Sequence, residues 1–256
     1  MRNKIFFILV VGIFFLKIFA TIYTNFNLFA DEAQYWLWSK SLSFGYYSKP
    51  PLIAWVLKLH TVIFGDGFAS LKFFSMFFYL LTSVGIYFLC KNLDLEKNDS
   101  ISCALVFLIV PSVSLSSFLI STDVLLLLFW VVCMNFLLNI RRRPTNINFS
   151  FLGLFFGLAL LSKYAAIYFL LSLVFVFFLD KKTRSSFKKN IFGVVLFAFV
   201  AFCVFFPNMF WNSQNNWLTL AHTSDNINIE NQNINILRGV NFLLIQFVML
   251  GPVLFL

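Results

Sequence analysis

ADEAQYWLWSKSLSFGYYSKPPLIAWV, residues 30–56, is the least apolar stretch in the first half of a chain that is 61% hydrophobic and only 11% charged. It holds two adjacent acids, Asp31 and Glu32, then a cluster of aromatics, then Lys49 directly before Pro50-Pro51. A water-soluble domain is nearer half apolar and a quarter charged. The apolar residues on either side come in runs near the roughly 20 residues that a bilayer-spanning helix needs. Strand-period alternation is missing, which argues against a β-barrel. The stretch therefore reads as the first loop leaving the membrane in an all-α, polytopic transmembrane bundle. Tyr35, Trp36 and Trp38 suit a membrane interface. Residues 51–64 are apolar but too short to span, and Lys58 and His60 interrupt them. Two short interfacial helices, about 33–44 and 51–64, joined near Lys49-Pro50-Pro51, are expected.

Outward from this loop, spans are expected at about 5–24, 68–90, 101–119, 123–140, 149–161, 164–179, 191–211 and 239–256, all within one transmembrane domain, 1–256. MRNK before the first run resembles a signal peptide, but the run from Ile5 to about Thr24 is long and no small-residue cleavage site closes it. It reads as an uncleaved helix. The apolar stretch 149–179 is too long for one straight span and is interrupted by Ser162-Lys163-Tyr164. Charge favours a break there over one tilted helix with a buried lysine. With the N-terminus inside and a break at 162–164, the segments 1–4, 91–99, 141–148 and 180–190 all become cytoplasmic. They hold Arg2, Lys4, Lys91, Lys97, Arg141, Arg142, Arg143, Lys181, Lys182, Arg184, Lys188 and Lys189, twelve of the nineteen basic residues. Without the break, the basic loop 181–189 falls outside, against the positive-inside rule. The net charge of +9 is thus read as topology, and no nucleic-acid partner is expected.

The opposite face collects 25–67, a corner at 119–123, the Ser-Lys-Tyr break and 212–238. It also holds Asp31, Glu32, Asp66, Asp123, Asp225 and Glu230, six of the ten acids. An active site facing away from the cytoplasm would gather polar residues in this way. The four cysteines, Cys90, Cys103, Cys133 and Cys203, lie in or beside apolar segments without Cys-x-x-Cys spacing. They suggest neither a disulfide framework nor a metal site. The Asn-rich stretch 226–235 reads as plain loop. The last apolar run stops at Leu256, as in a fragment or a truncated product.

Each candidate residue has a structural and a chemical reading. Asp31 and Glu32 fit the N-terminus of an interfacial helix, or a general base or cation ligand at the edge of lipid. Lys49, biased to extended backbone by the prolines, is a snorkelling lysine or a clamp on phosphate. Ser121-Thr122-Asp123 suits a helix N-cap. Lys163, inside an apolar run, points to a polar site. Pro207–Trp217 (PNMFWNSQNNW) suits an aromatic belt or the wall of a sugar site. His60 and His222 show no metal spacing.

DEAQYWLWSKSLSFGYYSKPPLIAW, with Ser121-Thr122-Asp123-Val124-Leu125-Leu126, Leu161-Ser162-Lys163-Tyr164 and Pro207–Trp217 in that order, resembles the bacterial family 39 membrane glycosyltransferases. These are similar to the dolichyl-phosphate-mannose–protein mannosyltransferases and share the GT-C fold. The resemblance implies transfer of a sugar from a polyprenyl-phosphate donor to an envelope glycan, lipid or protein acceptor. It places the site on the outer face of a bacterial inner membrane. It makes Asp31 the catalytic base and Lys49 the phosphate-binding cation, with Glu32, Tyr35, Asp123 and Lys163 as supporting residues. Some relatives that modify lipid A carry Glu near a metal just before the lysine. Here that position is Ser48, so no metal ligand is assigned and a divalent cation stays open as the one cofactor to consider. Family members commonly run to about twice this length. A transporter or lipid flippase is the rival reading; it predicts ionisable residues spread along a transmembrane path and internal repeats. An inactive or assembly-only fragment is the third.

Overall fold

A computed structural model describes residues 27–227 and 236–251, with residues 8, 11, 12, 14–17, 19, 20 and 23 of the N-terminal segment. The expected span 5–24 therefore lies largely outside the described residues, as do Glu230, most of 226–235 and the end of the last run after 251. The described residues form helices and no strands. The architecture is an all-α helical membrane bundle.

Helix α1 (Ala30–Lys40) and helix α2 (Leu52–Phe64) are the two short helices of the first loop. α1 begins earlier than the composition suggested, so Asp31 and Glu32 lie inside its first turn. The long helices α3 (Phe68–Asn92), α6 (Thr122–Arg142) and α10 (Ile191–Gln214) are each long and apolar enough to cross a membrane. Between α3 and α6 lie α4 (Lys97–Ile109) and α5 (Pro111–Ser116); after α6 come α7 (Asn146–Ser162), α8 (Ile167–Leu179) and α9 (Lys181–Lys189). α11 (Leu218–Ile227) and α12 (Ile236–Leu250) follow α10.

The run 101–119 is not one helix. Pro111 starts α5, and it holds Val110 out of the helical region at φ −49° and ψ 127°, as proline does to the residue before it. At the Ser162–Tyr164 interruption, α7 stops, Lys163 is extended at φ −160° and ψ 135°, and a single 3-10 turn (Tyr164–Ala166) leads into α8. The basic loop 181–189 is itself helical, bent 102° from the preceding segment. The Asp180 carboxylate caps it by accepting from the backbone N–H groups of Lys182 and Thr183.

α7 and α10 form the tightest helix pair. Gly153 and Gly157, four residues apart on α7, face α10 without side chains. A Cβ at Gly153 would stand 2.5 Å from the Phe197 carbonyl oxygen, and one at Gly157 would stand 2.7 Å from Val204 Cβ. Small residues at this spacing let two helix backbones approach. One core cluster lies along this contact, around Phe149, Leu152, Phe156 and Phe197. A second, with Tyr35, Ile53, Leu57, Phe74, Ile120 and Leu125, packs beneath the first loop. Lys17 sets the N-terminal segment against α5, donating to the Ser114 carbonyl at 3.1 Å and to Ser117 Oγ at 2.9 Å.

Candidate active site

The two neighbouring acids diverge. Successive helical side chains are about 100° apart, so Glu32 turns inward as Asp31 stays exposed. Glu32 is 1% exposed and Lys72, on α3, 6%. Lys72 Nζ donates to both Glu32 oxygens, at 2.7 and 2.6 Å. The Ile120 N–H donates to Oε1 and the Phe29 N–H to Oε2, each at 2.9 Å. Every one of these bonds is intramolecular: Glu32 ties α1 to α3 and to the corner before α6. It stands beside the site without opening onto it. Lys72 had escaped notice in the sequence. The available signal was a lysine one turn inside a long apolar helix, where a charge demands a partner.

Asp31 makes no hydrogen bond or ion pair among the described residues. One turn further on, Tyr35 is 2% exposed. Burial pushes its phenol above the usual tyrosine range, and the nearby charges of Asp31 and Asp123 push it further. Asp123 lies in the first turn of α6, one residue past Thr122, and Ser121 occupies the N-cap position. Its carboxylate does not cap the helix; it accepts from Lys163 Nζ at 2.7 Å. That bond joins the start of α6 to the break after α7. Both partners stay partly exposed, at 35% for Lys163 and 49% for Asp123.

Lys163 also lines a cleft of about 290 Å³, opposite Ser48, Lys49 and Pro50 and beside Tyr164 and Thr223. Of the residues singled out from the sequence, Asp123 and Lys163 are joined by an ion pair, and Lys163 and Lys49 line one cleft. The Lys49 ammonium has no hydrogen-bond or ion-pair partner among the described residues.

The loop carrying Lys49 is held from several sides. Tyr46 stacks on Trp38 with ring centroids 4.4 Å apart. Its hydroxyl meets the Trp38 and Ser41 carbonyls at 3.1 Å and accepts from the Ser43 N–H at 3.1 Å. Trp55 Nε1 donates to the Ser43 carbonyl at 2.8 Å. Trp36 Nε1 donates to Asp66 Oδ1 at 3.0 Å, and Lys40 pairs with the same carboxylate. These aromatics brace the loop through their polar tips.

Two of the five amides in 207–217 are turned into the protein. Asn208 and Asn212 are 0% and 1% exposed. Asn208 Nδ2 donates to the Phe44 carbonyl at 2.7 Å, and Asn212 Nδ2 to Tyr164 Oη at 3.1 Å. Both are committed to holding the first loop and the break against α10. Trp211 packs where a Cβ on Gly45 would lie, within 2.2 Å of its ring.

A metal finds little here. Ser48 lines the cleft where a carboxylate would have to stand, and among the described residues no group of three or more His, Cys, Asp or Glu side chains is arranged to hold an ion. Cys90, Cys103, Cys133 and Cys203 are free thiols. These residues offer acid–base and electrostatic chemistry: a carboxylate without a partner among the described residues, a buried phenol, and two ammonium groups lining one cleft.

Residues 48–211 match the model of the dolichyl-phosphate-mannose-protein mannosyltransferase family. The matched segment opens beside Lys49 and includes Asp123, Lys163 and Asn208. The chain is also similar to the lipid A galacturonosyltransferase RgtD of Rhizobium johnstonii, with 32% identity over 231 residues, covering 90% of this chain and 48% of that protein. The chain thus spans about half the length of the curated relative it matches. No solved structure matches it.

Proposed function

The chain belongs to the dolichyl-phosphate-mannose-protein mannosyltransferase family, and from that premise we propose that it is an integral-membrane glycosyltransferase that moves a sugar from a polyprenyl-phosphate donor to a hydroxyl on an envelope lipid, glycan or protein. The observation that carries this reading is the cleft lined by Lys49 of the first loop and by Lys163, whose ammonium pairs with Asp123, while Asp31 at the head of the same loop is exposed and has no partner among the described residues.

The chemistry needs little else. Asp31 takes the proton of the acceptor hydroxyl, and that oxygen attacks the anomeric carbon. The bond from that carbon to the phosphate oxygen breaks, and polyprenyl phosphate departs with the bonding pair. The configuration inverts. Lys49 meets the negative charge growing on the phosphate, where partial exclusion of water strengthens a cation's effect. The cleft lies near the lower end of the roughly 300–1,000 Å³ typical of ligand pockets, which suits a sugar-phosphate head while the polyprenyl chain stays in lipid. A cleavage point at the membrane surface is what a lipid-linked donor requires. The site then faces outward from a bacterial inner membrane, with the basic segments 141–143 and 181–189 on the other side. The relative's name suggests a uronic acid as the sugar and lipid A as the acceptor.

Sugar transfer from labelled polyprenyl-phosphate donors, measured in membranes carrying the protein, tests this. Asp31→Asn keeps the size and removes the base, so transfer should fall by roughly 10²–10⁴-fold. Undiminished transfer by that variant would overturn the mechanism.

A further inference from the structure

Resting on that reading, we propose that Tyr164 is a positioning residue whose hydroxyl fixes the Lys49 loop against the Lys163 break, so that both ammonium groups present a fixed pair of charges to one phosphate. Tyr164 follows Lys163 directly. Its Oη donates to Asn208 Oδ1 at 2.8 Å and accepts from Asn212 Nδ2 at 3.1 Å. Asn208 hands the connection to the first loop through the Phe44 carbonyl at 2.7 Å. A second tie runs in parallel: the Thr219 N–H donates to Asn212 Oδ1 at 3.3 Å, and Thr219 Oγ1 donates to the Tyr46 carbonyl at 2.6 Å.

The loop is thereby gripped at residues 44 and 46, just before Lys49. The break is gripped at residue 164, just after Lys163. The common anchor is one turn of α10. The Lys163 ammonium is held by Asp123, and Lys49 has no side-chain partner among the described residues, so the network sets where the Lys49 loop stands relative to that pair. Asn208, Asn212 and Thr219 are all buried, and a buried network with every member satisfied is stiff. Tyr164 itself is half-buried and lines the cleft. Misplacing a charged group by about 1 Å can cost up to about a hundredfold, so holding two lysines in register is a substantial effect.

The test is binding in lipid nanodiscs. Polyprenyl monophosphate and the matching uncharged polyprenol compete with a fluorescent polyprenyl phosphate for wild type, Tyr164→Phe, Thr219→Val, Lys49→Met and the two double variants with Lys49→Met. Tyr164→Phe and Thr219→Val should each lower the preference for phosphate over alcohol by about tenfold, with alcohol binding and thermal unfolding close to wild type. In the Lys49→Met background neither should lower it further. Thr219 does not line the cleft, so it carries the same test should Tyr164→Phe fold poorly. If Lys49→Met lowers the preference but Tyr164→Phe and Thr219→Val do not, or if their effects multiply with it, the positioning role is refuted and the phosphate site stands. If Lys49→Met itself leaves the preference unchanged, the phosphate site falls, and the positioning role with it.

Discussion

Replacing Lys72 by Met should cost the protein more than any exposed substitution in the site. Met keeps most of the side chain's length and its contact with the Phe29 and Phe68 rings, whose centroids lie 5.6 Å from the ammonium. What it removes is the cation that donates to both oxygens of a carboxylate that is 1% exposed. Removing one partner of a buried pair costs about 3–5 kcal/mol. Glu32 retains the N–H groups of Ile120 and Phe29, so the lower end, about 3 kcal/mol, is expected. At roughly 2–4 °C per kcal/mol for a chain of this size, unfolding in detergent should move down by about 6–12 °C, followed by circular dichroism. The double variant Lys72→Met/Glu32→Gln separates charge from packing. Its amide oxygen can still accept from Ile120, but its NH2 group then meets the Phe29 N–H, donor against donor. With the uncompensated buried charge gone, roughly half of the loss should return. A loss below about 1 kcal/mol in Lys72→Met, or a double variant no more stable than Lys72→Met alone, would refute the account of Glu32 as a closed structural tie.

Three further outcomes follow from the same geometry. Gly153→Leu should destabilise by about 1–3 kcal/mol, because even its Cβ would meet the Phe197 carbonyl at 2.5 Å; unfolding of the variant in detergent checks this, and Ile147→Leu on the exposed start of α7 serves as the neutral control. Asp66 is held below the usual carboxylate range, first by the bond from Lys40 and then by that from Trp36. A depressed folded value means its contribution is complete above the unfolded value of about 3.9 and is lost as pH falls through the lower folded value. The contact between α1 and the turn joining α2 to α3 should therefore loosen only below about pH 4, seen as a change in Trp36 fluorescence that Asp66→Asn abolishes. The pair is exposed, so its effect on overall stability should stay within about 1 kcal/mol. Lys163→Met should lower sugar transfer by about tenfold or more and reduce the salt sensitivity of donor binding, because it removes one of the two cations on the cleft.

The membrane bundle was legible because composition and run length decide it. The break at 162–164 was legible because a serine, a lysine and a tyrosine interrupt an apolar stretch too long for one span. The split at Val110–Pro111 was equally visible in the residues, since proline restricts its predecessor, yet the unbroken hydropathy of 101–119 masked it. Asp31, Lys49, Asp123 and Lys163 were all singled out from the sequence; their arrangement in space was not legible there. Asp123 and Lys163 are 40 residues apart, and nothing local says that they pair. The inward placement of Asn208 and Asn212 was not legible for a related reason. An amide at the polar end of an apolar helix looks the same whether it faces a ligand or a neighbouring loop, and only burial separates the two.

The dipeptide Asp31-Glu32 condenses the logic of the site. Two carboxylates side by side on a helix cannot face the same environment, since a rotation of about 100° separates them. One of them must be solvated by the protein if the other is to meet a substrate. The longer side chain is the one that reaches inward, to Lys72, Ile120 and the N–H of Phe29. In doing so it fixes the rotation of α1 relative to α3 and α6, and hence the direction in which its neighbour points. The shorter acid is then left exposed, one turn before Tyr35, and without an internal partner among the described residues. Freedom at Asp31 and saturation at Glu32 are therefore one structural fact. In the proposed mechanism the base thus gains its orientation from an acid that stays outside the reaction.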